Sequence, residues 1–196
     1  MFERTAMERY LTCCFTGHRP QHLGVPRGSE AETALKNRIA GEVLRLIEEQ
    51  NVRHFISGMA LGVDTCAAGI VLKMKELYPE VTLECALPCK GQDRHWKKAD
   101  RAEYARILAA ADKVTLLQDA YTPFCMQLRD AYMVDAADIV LAVWNGSKGG
   151  TAYTVNCARK RGRTIIILPP AEKKQVGSPQ PEVGSQSQHS KRNTQN

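Results

Sequence analysis

The chain has 196 residues, 43% of them hydrophobic and 24% charged, with a formal net charge of +6. That length suits one domain with a full core and falls short of two ordinary ones, and the composition is normal for a soluble globular protein. No apolar stretch approaches bilayer-spanning length and the start, MFERTAMERY, has no apolar signal core, so a cytoplasmic protein with no membrane partner is expected.

The pattern alternates along the chain. Tyr10 to Phe15 is a short apolar run ending at TGHRP, and apolar positions from Ala34 to Ile47 then recur at helical spacing between Ser29 and Gln50. Arg53 to Ser57 reads as a second strand ending at SGMALGVD, followed by a helix from Val63 to Tyr78 stopped by Pro79. Thr82 to Leu87 is a third strand ending at PCKGQDRHW, with a helix over Lys98 to Ala111. Lys113 to Leu117 is a fourth strand, ending at QDAYTP before a helix over Phe124 to Ala136. Asp138 to Val143 is a fifth, leading through WNGSKGG to a helix over Thr151 to Arg161 and a sixth strand, Thr164 to Leu168.

Short apolar strands alternating with helices predict an α/β, Rossmann-like, doubly wound three-layer sandwich with a mostly parallel sheet of about six strands. The domain spans 1–170. The segment 171–196, poor in large apolar side chains and rich in Ser, Gln, Lys, Pro and Gly, is expected to be a disordered polar tail. It carries four of the cations against two acids, so the body is only mildly basic at +4. Seven cysteines without a CxxC pair suggest neither zinc nor a disulfide framework, and most sit in apolar runs as small hydrophobes.

In a parallel sheet the five unusual turns share the carboxyl edge, where open α/β sheets bind ligands. The first contributes Thr16, Gly17, His18 and Arg19. The second contributes Ser57, Gly58, Met59, Gly62 and, at the helix start, Asp64. The last contributes Asn145, Gly146, Gly149, Gly150 and Thr151. Glycines let backbone N–H groups close on an anion, helix N-termini favour negative charge, and arginines such as Arg19 and Arg129 suit phosphate. Read structurally, the same glycines are only tight turns, His18 steadies its own turn and Asp64 bonds nearby backbone. Trp96, Trp144, Tyr121 and Tyr153 suit base stacking, but each alone reads better as packing. Neither loop is a GxGxxG or GxxxxGK[ST] motif, which disfavours ordinary dinucleotide dehydrogenases and P-loop enzymes.

TGHRP, SGMALGVD, LRDAYMVDAADIVLAVWNG and GGTAYT, in this order, resemble the YpsA-like branch of the SLOG superfamily over residues 10–170. SGMALGVD is similar to a pattern of the DNA-processing protein DprA, and Arg129 to Met133 followed by GGT is similar to one of the LOG-type phosphoribohydrolases. The resemblance implies a Rossmann-like protein that binds nucleotides or their derivatives, such as ADP-ribose or NAD-like ligands, with a homodimer or higher oligomer; no bound cofactor or metal is expected. LOG-type chemistry needs a glutamate in GTxxE, and here Thr154 stands in its place. A threonine cannot act as a carboxylate at neutral pH.

Three functions follow in order: a nucleotide-derivative-binding sensor or regulator; a LOG-like nucleoside monophosphate phosphoribohydrolase; and a DprA-like single-stranded DNA binder. The enzyme would take a non-standard acid from Asp64, Asp93 or Asp119, assisted by Cys89, His95 or His18. The DNA binder would use Lys90, Arg94, His95, Trp96, Lys97 and Lys98.

Overall fold

The computed structural model describes residues 9–171, so the expected tail lies outside the described residues except for Ala171. The strands are β1 (Leu11–Gly17), β2 (Val52–Ser57), β3 (Thr82–Leu87), β4 (Lys113–Leu116), β5 (Ile139–Val143) and β6 (Thr164–Leu168). The helices are α1 (Pro20–Leu23), α2 (Glu30–Glu49), α3 (Val63–Met74), α4 (Lys98–Ala110), α5 (Cys125–Ala136) and α6 (Gly150–Lys160).

The sheet runs β4-β3-β2-β1-β5-β6, and every neighbouring pair is parallel rather than most of them. The chain winds outward from β1 to β4, then returns to the other side of β1 for β5. Strand order therefore switches between β1 and β5, and the loops leaving these two strands part there.

Two differences from the sequence reading have local causes. The third helix stops at Met74, because the chain to Tyr78 tightens into turns in which the Glu76 and Leu77 amides bond the Lys73 and Met74 carbonyls three residues back, at 3.2 and 3.0 Å. The single turn α1 starts at a proline, whose fixed φ suits a first helical position, and ends at Gly24 with φ 67°. The long helix α2 starts as its sequence SEAE suggests: Ser29 Oγ accepts the Glu32 amide at 3.2 Å, while the Glu32 carboxylate accepts the Gly28 amide at 2.6 Å.

The two faces of the sheet are covered unequally. One packs α2, α3 and α4 through Leu35, Ile39, Leu46, Val63, Val71 and Ile107, with Phe15 stacked on Phe55 at 5.7 Å in the strands below. The other packs only α5 and α6, through Met133, Val134 and Ala158. Beside α5 the strip over β3 and β4 is polar instead. Glu84, 2% exposed, accepts Tyr132 and Thr115 hydroxyls at 2.6 Å each and lies 3.1 Å from both Lys113 Nζ and His54 Nε2. All its lone-pair directions are served, which is what makes a buried carboxylate tolerable.

Burial pushes the Glu84 carboxyl upward, but the bonds from His54, Thr115, Tyr132 and Lys113 outweigh it and bring it down to about 2. A depressed carboxyl contributes stability that is full above its ordinary value and is lost as pH falls toward 2. We predict that Glu84→Gln costs about 3 kcal/mol near neutral pH. The difference from the unaltered protein should shrink below pH 4, as read by denaturant melts across pH. An equal cost at pH 2.5 and pH 7 would contradict this account.

Candidate functional site

The carboxyl edge is one continuous crest of loops, each fastened to the next. The β1 loop meets the β5 loop where His18 Nε2 lies 2.8 Å from Asn145 Oδ1. It meets the start of α3 so closely that a Cβ on Gly62 would stand 2.8 Å from the His18 carbonyl oxygen, and one on Gly17 would stand 2.5 Å from Val63 Cβ. The β2 loop meets the β3 loop through Gln92, whose amide donates to the Met59 carbonyl at 3.3 Å. The β3 and β4 loops meet through the Lys90–Asp119 ion pair at 2.5 Å.

The two glycine loops are physically different. In the β2 loop the donors are turned inward. The Met59 amide bonds Ser57 Oγ at 3.1 Å, the Ala60 amide bonds Asp64 Oδ2 at 3.4 Å and the Gly62 amide bonds Thr65 Oγ1 at 3.3 Å. Ser57 Oγ itself donates to the Asp64 carbonyl at 2.9 Å. Met59 is fully buried at φ 53°, a left-handed conformation that is uncommon for a residue other than glycine. Arg129 explains how it is held. From α5 its guanidinium donates through Nη1 to the Gly58 carbonyl and through Nε to Asp130 at 2.7 Å, and it lies 3.8 Å from Asp64 Oδ2. A Cβ on Gly58 would collide with it.

In the β5 loop the opposite holds. Gly146 (φ 90°) and Gly149 (φ 140°) are exposed, and a Cβ on either, or on Gly150, would meet nothing within 4 Å. Gly149 caps α6 without a side-chain bond, and the first helical amides have no partner within the helix. Thr16 on β1 and Thr151 in the first turn of α6 are each 6% exposed, and neither hydroxyl makes a hydrogen bond among the described residues. Arg19 is exposed beside them.

Fifteen residues picked from the sequence thus divide into two groups. His18, Asn145, Gly146, Gly149, Gly150, Thr16, Thr151 and Arg19 surround the open start of α6. Ser57, Gly58, Met59, Gly62, Asp64 and Arg129 form the closed turn beside it, with Gly17 packed between. Sequence reasoning missed Asp130, the nearest acid to Arg129, although the adjacent pair stands in plain view at the middle of α5. Thr154 is fully buried and donates to the Gly150 carbonyl at 3.1 Å. Two concave surfaces lie on the β3-to-β4 side of the crest: one of about 620 Å³ lined by Asp93, Trp96, Lys98 and Arg101, and one of about 120 Å³ lined by Cys89, Lys90, Arg94, His95, Tyr121 and Met126. Of the aromatics, Trp96 packs edge-on against Tyr104 at 5.3 Å and Trp144 Nε1 bonds the Ser147 carbonyl at 2.8 Å, while Tyr121 and Tyr153 are exposed.

Residues 13–165 match the YpsA family model, described as the YspA SLOG family. An uncharacterized SPbeta prophage-derived protein, YoqJ, of Bacillus subtilis is 32% identical over 64% of this chain and 81% of its own length. DNA processing protein A of Streptococcus pneumoniae superposes with a TM-score of 0.55 at 16% identity, over 86% of this chain and 53% of that one. The same protein from Helicobacter pylori, solved to explain its single-stranded DNA binding mode, gives 0.56 at 17% identity over 84% and 67%. This chain spans about half of the Streptococcus protein, and at these identities the two structures show a shared fold alone.

Burial raises the Asp64 carboxyl from 3.8 to about 6, against the pull of Arg129. A raised carboxyl costs the fold stability once ionised: the cost is absent below pH 4, grows through pH 6 and is full above it. Asp64→Asn is therefore expected to leave stability at pH 8 equal or higher and to remove a step between pH 4 and 6 from the melting profile. A marked loss at pH 8 would mean that the ionised carboxylate stabilises the fold.

Proposed function

The chain belongs to the YpsA (YspA SLOG) family, and we propose on that footing that it binds a phosphate-bearing nucleotide derivative, of the ADP-ribose or nucleoside-phosphate class, as a sensor or regulator. The observation that carries this reading is the start of α6. Open glycines, unpaired helical amides and two hydroxyls that make no hydrogen bond among the described residues, those of Thr16 and Thr151, lie together where strand order switches. Helix N-termini with free amides favour anions, and a hydroxyl with no protein partner beside them is free to donate to one. His18 and Asn145 wall the same opening. Asp64, a buried carboxylate raised to about 6 beside this opening, fits the same reading.

Binding rather than cleavage is the better fit. The hydroxyl of Thr154, where LOG-type enzymes carry an acid, is turned into its own helix. The test is calorimetry with AMP and ADP-ribose on the unaltered protein, Thr16→Val and Thr151→Val, with product analysis for free base. Loss of a hydrogen bond to a charged phosphate is worth about 1.5–3 kcal/mol, so each variant should bind roughly ten- to a hundredfold more weakly with no base released. Equal affinity in the valine variants would remove the anion site from α6.

A second reading has its own observation. Lys90, Arg94, His95, Lys97 and Lys98 are exposed around half-buried Trp96, beside the concavity of about 620 Å³. Cations around an aromatic platform suit single-stranded DNA, which the Helicobacter protein binds. Titration of a fluorescent oligonucleotide at several salt concentrations tests it. A steep fall in affinity, with a log–log slope near −0.7 per phosphate contacted, is expected, and Trp96→Ala should weaken binding at every salt concentration. Absence of binding at low salt would dismiss this reading.

A further inference from the structure

Seven cysteines are spread over this chain, and two of them, from separate elements, meet. Cys89 stands just past the end of β3, and Cys125 is the first residue of α5. Their thiols lie in hydrogen-bonding contact. The other five sit elsewhere: Cys13 and Cys14 in β1, Cys66 in α3, Cys85 in β3 and Cys157 in α6.

The two thiols differ in access. Cys125 is wholly enclosed, whereas Cys89 forms part of the wall of the small cleft between the β3 and β4 loops, beside Arg94, His95, Tyr121 and Met126. The cleft holds about 120 Å³, the volume of about four waters, which admits a molecule the size of hydrogen peroxide. Cys89 also lies in a bend of its loop rather than in a strand or helix. A disulfide needs Cβ atoms about 4 Å apart, and a loop residue can shift to meet that spacing.

We propose that Cys89 and Cys125 form a reversible disulfide, a modification site whose oxidant is a small hydroperoxide. The Cys89 thiolate attacks one peroxide oxygen, the O–O bond breaks, and the leaving hydroxide takes up a proton as water. Cys89 is then a sulfenic acid. The Cys125 sulfur displaces its hydroxyl, giving the disulfide and a second water. Two thiols lose two electrons and two protons, and the peroxide gains both. The bond fastens the β3 loop to the start of α5, one helical turn before Arg129, which holds the β2 loop. It forms whether or not α6 holds an anion.

Burial, and then the neighbouring Cys125, push the Cys89 thiol up, against the pull of Arg94. The thiolate is the reactive form, so oxidation is slow at neutral pH and quickens as pH rises.

The test treats the full, reduced chain with hydrogen peroxide at pH 7 and pH 8. Free thiols are then blocked under denaturing conditions and the peptides mapped by mass spectrometry without reduction. Two of the seven thiols should disappear, with a peptide joining Cys89 to Cys125 that dithiothreitol fully reverses. Formation should be up to about tenfold faster at the higher pH. The oxidised chain should melt at a higher temperature, because the crosslink restricts the unfolded chain. In Cys125→Ser the sulfenic acid on Cys89 lacks its partner and should be trapped by dimedone, and Cys89→Ser should lose both products. If either variant fails to fold, the map of the unaltered chain decides. A different pair joined first, a link between chains, or no link while the chain stays folded would overturn the assignment. A lower melting temperature after oxidation would do the same, since the bond would then not fit the native loops.

Discussion

Arg129 reaches from α5 across the end of the sheet to the Gly58 carbonyl, and the loop after β2 takes its shape from that reach. The carbonyl can point at the guanidinium only if position 58 has no side chain. With Gly58 fixed, Met59 is driven to positive φ and into the core, and the chain doubles back so that Ser57 and Asp64 consume the loop's own amides. Gly62 then lets α3 begin against the His18 backbone. The β1 loop, and with it His18 and Thr16, is thereby set at the mouth beside α6. One buried cation in this way orders two loops and leaves the third open.

The same cation sets the electrostatics of the edge. Arg129 serves two carboxylates, Asp64 and Asp130, so the buried cluster carries one more negative charge than positive. Asp130 takes the short bond, and Asp64 is left with two long contacts. The contrast with Glu84 is instructive. Both carboxylates are nearly inaccessible, yet Glu84 has four close partners and Asp64 has none nearer than 3.4 Å. Burial wins at Asp64 and loses at Glu84, so the two shift in opposite directions. Glu84 is a structural charge that covers the helix-free strip of the sheet. Asp64 is a charge the fold tolerates beside the opening.

Much of the fold was legible because its signals are local. Apolar runs of strand length, helical spacing in α2 and turn residues between them gave every strand to within about two residues. The closure of the sheet order is non-local, and no period in the sequence announces that β5 returns to β1. The site was legible in the same measure. SGMALG and NGSKGG look alike as text, and both were read as anion loops. What separates them is a guanidinium 71 positions away from Gly58, which no spacing within either loop encodes. Thr16 and Thr151 were read within their motifs, but their shared low exposure beside the start of α6 comes from the fold and from neither motif. Glu84 was passed over because a lone acid in an apolar strand gives no hint of four partners from three other elements.

Thr154 shows how the start of α6 is closed on its inner side. A side chain three positions after Thr151 lies almost one turn further along α6, on the inward side of the helix, where the residue is wholly enclosed. A carboxylate there would need a partner or a ligand to offset its burial. Threonine needs neither, because its hydroxyl returns to the Gly150 carbonyl one turn back. Position 154 therefore presents no acid to the start of α6, and the enclosed hydroxyl is spent within its own helix.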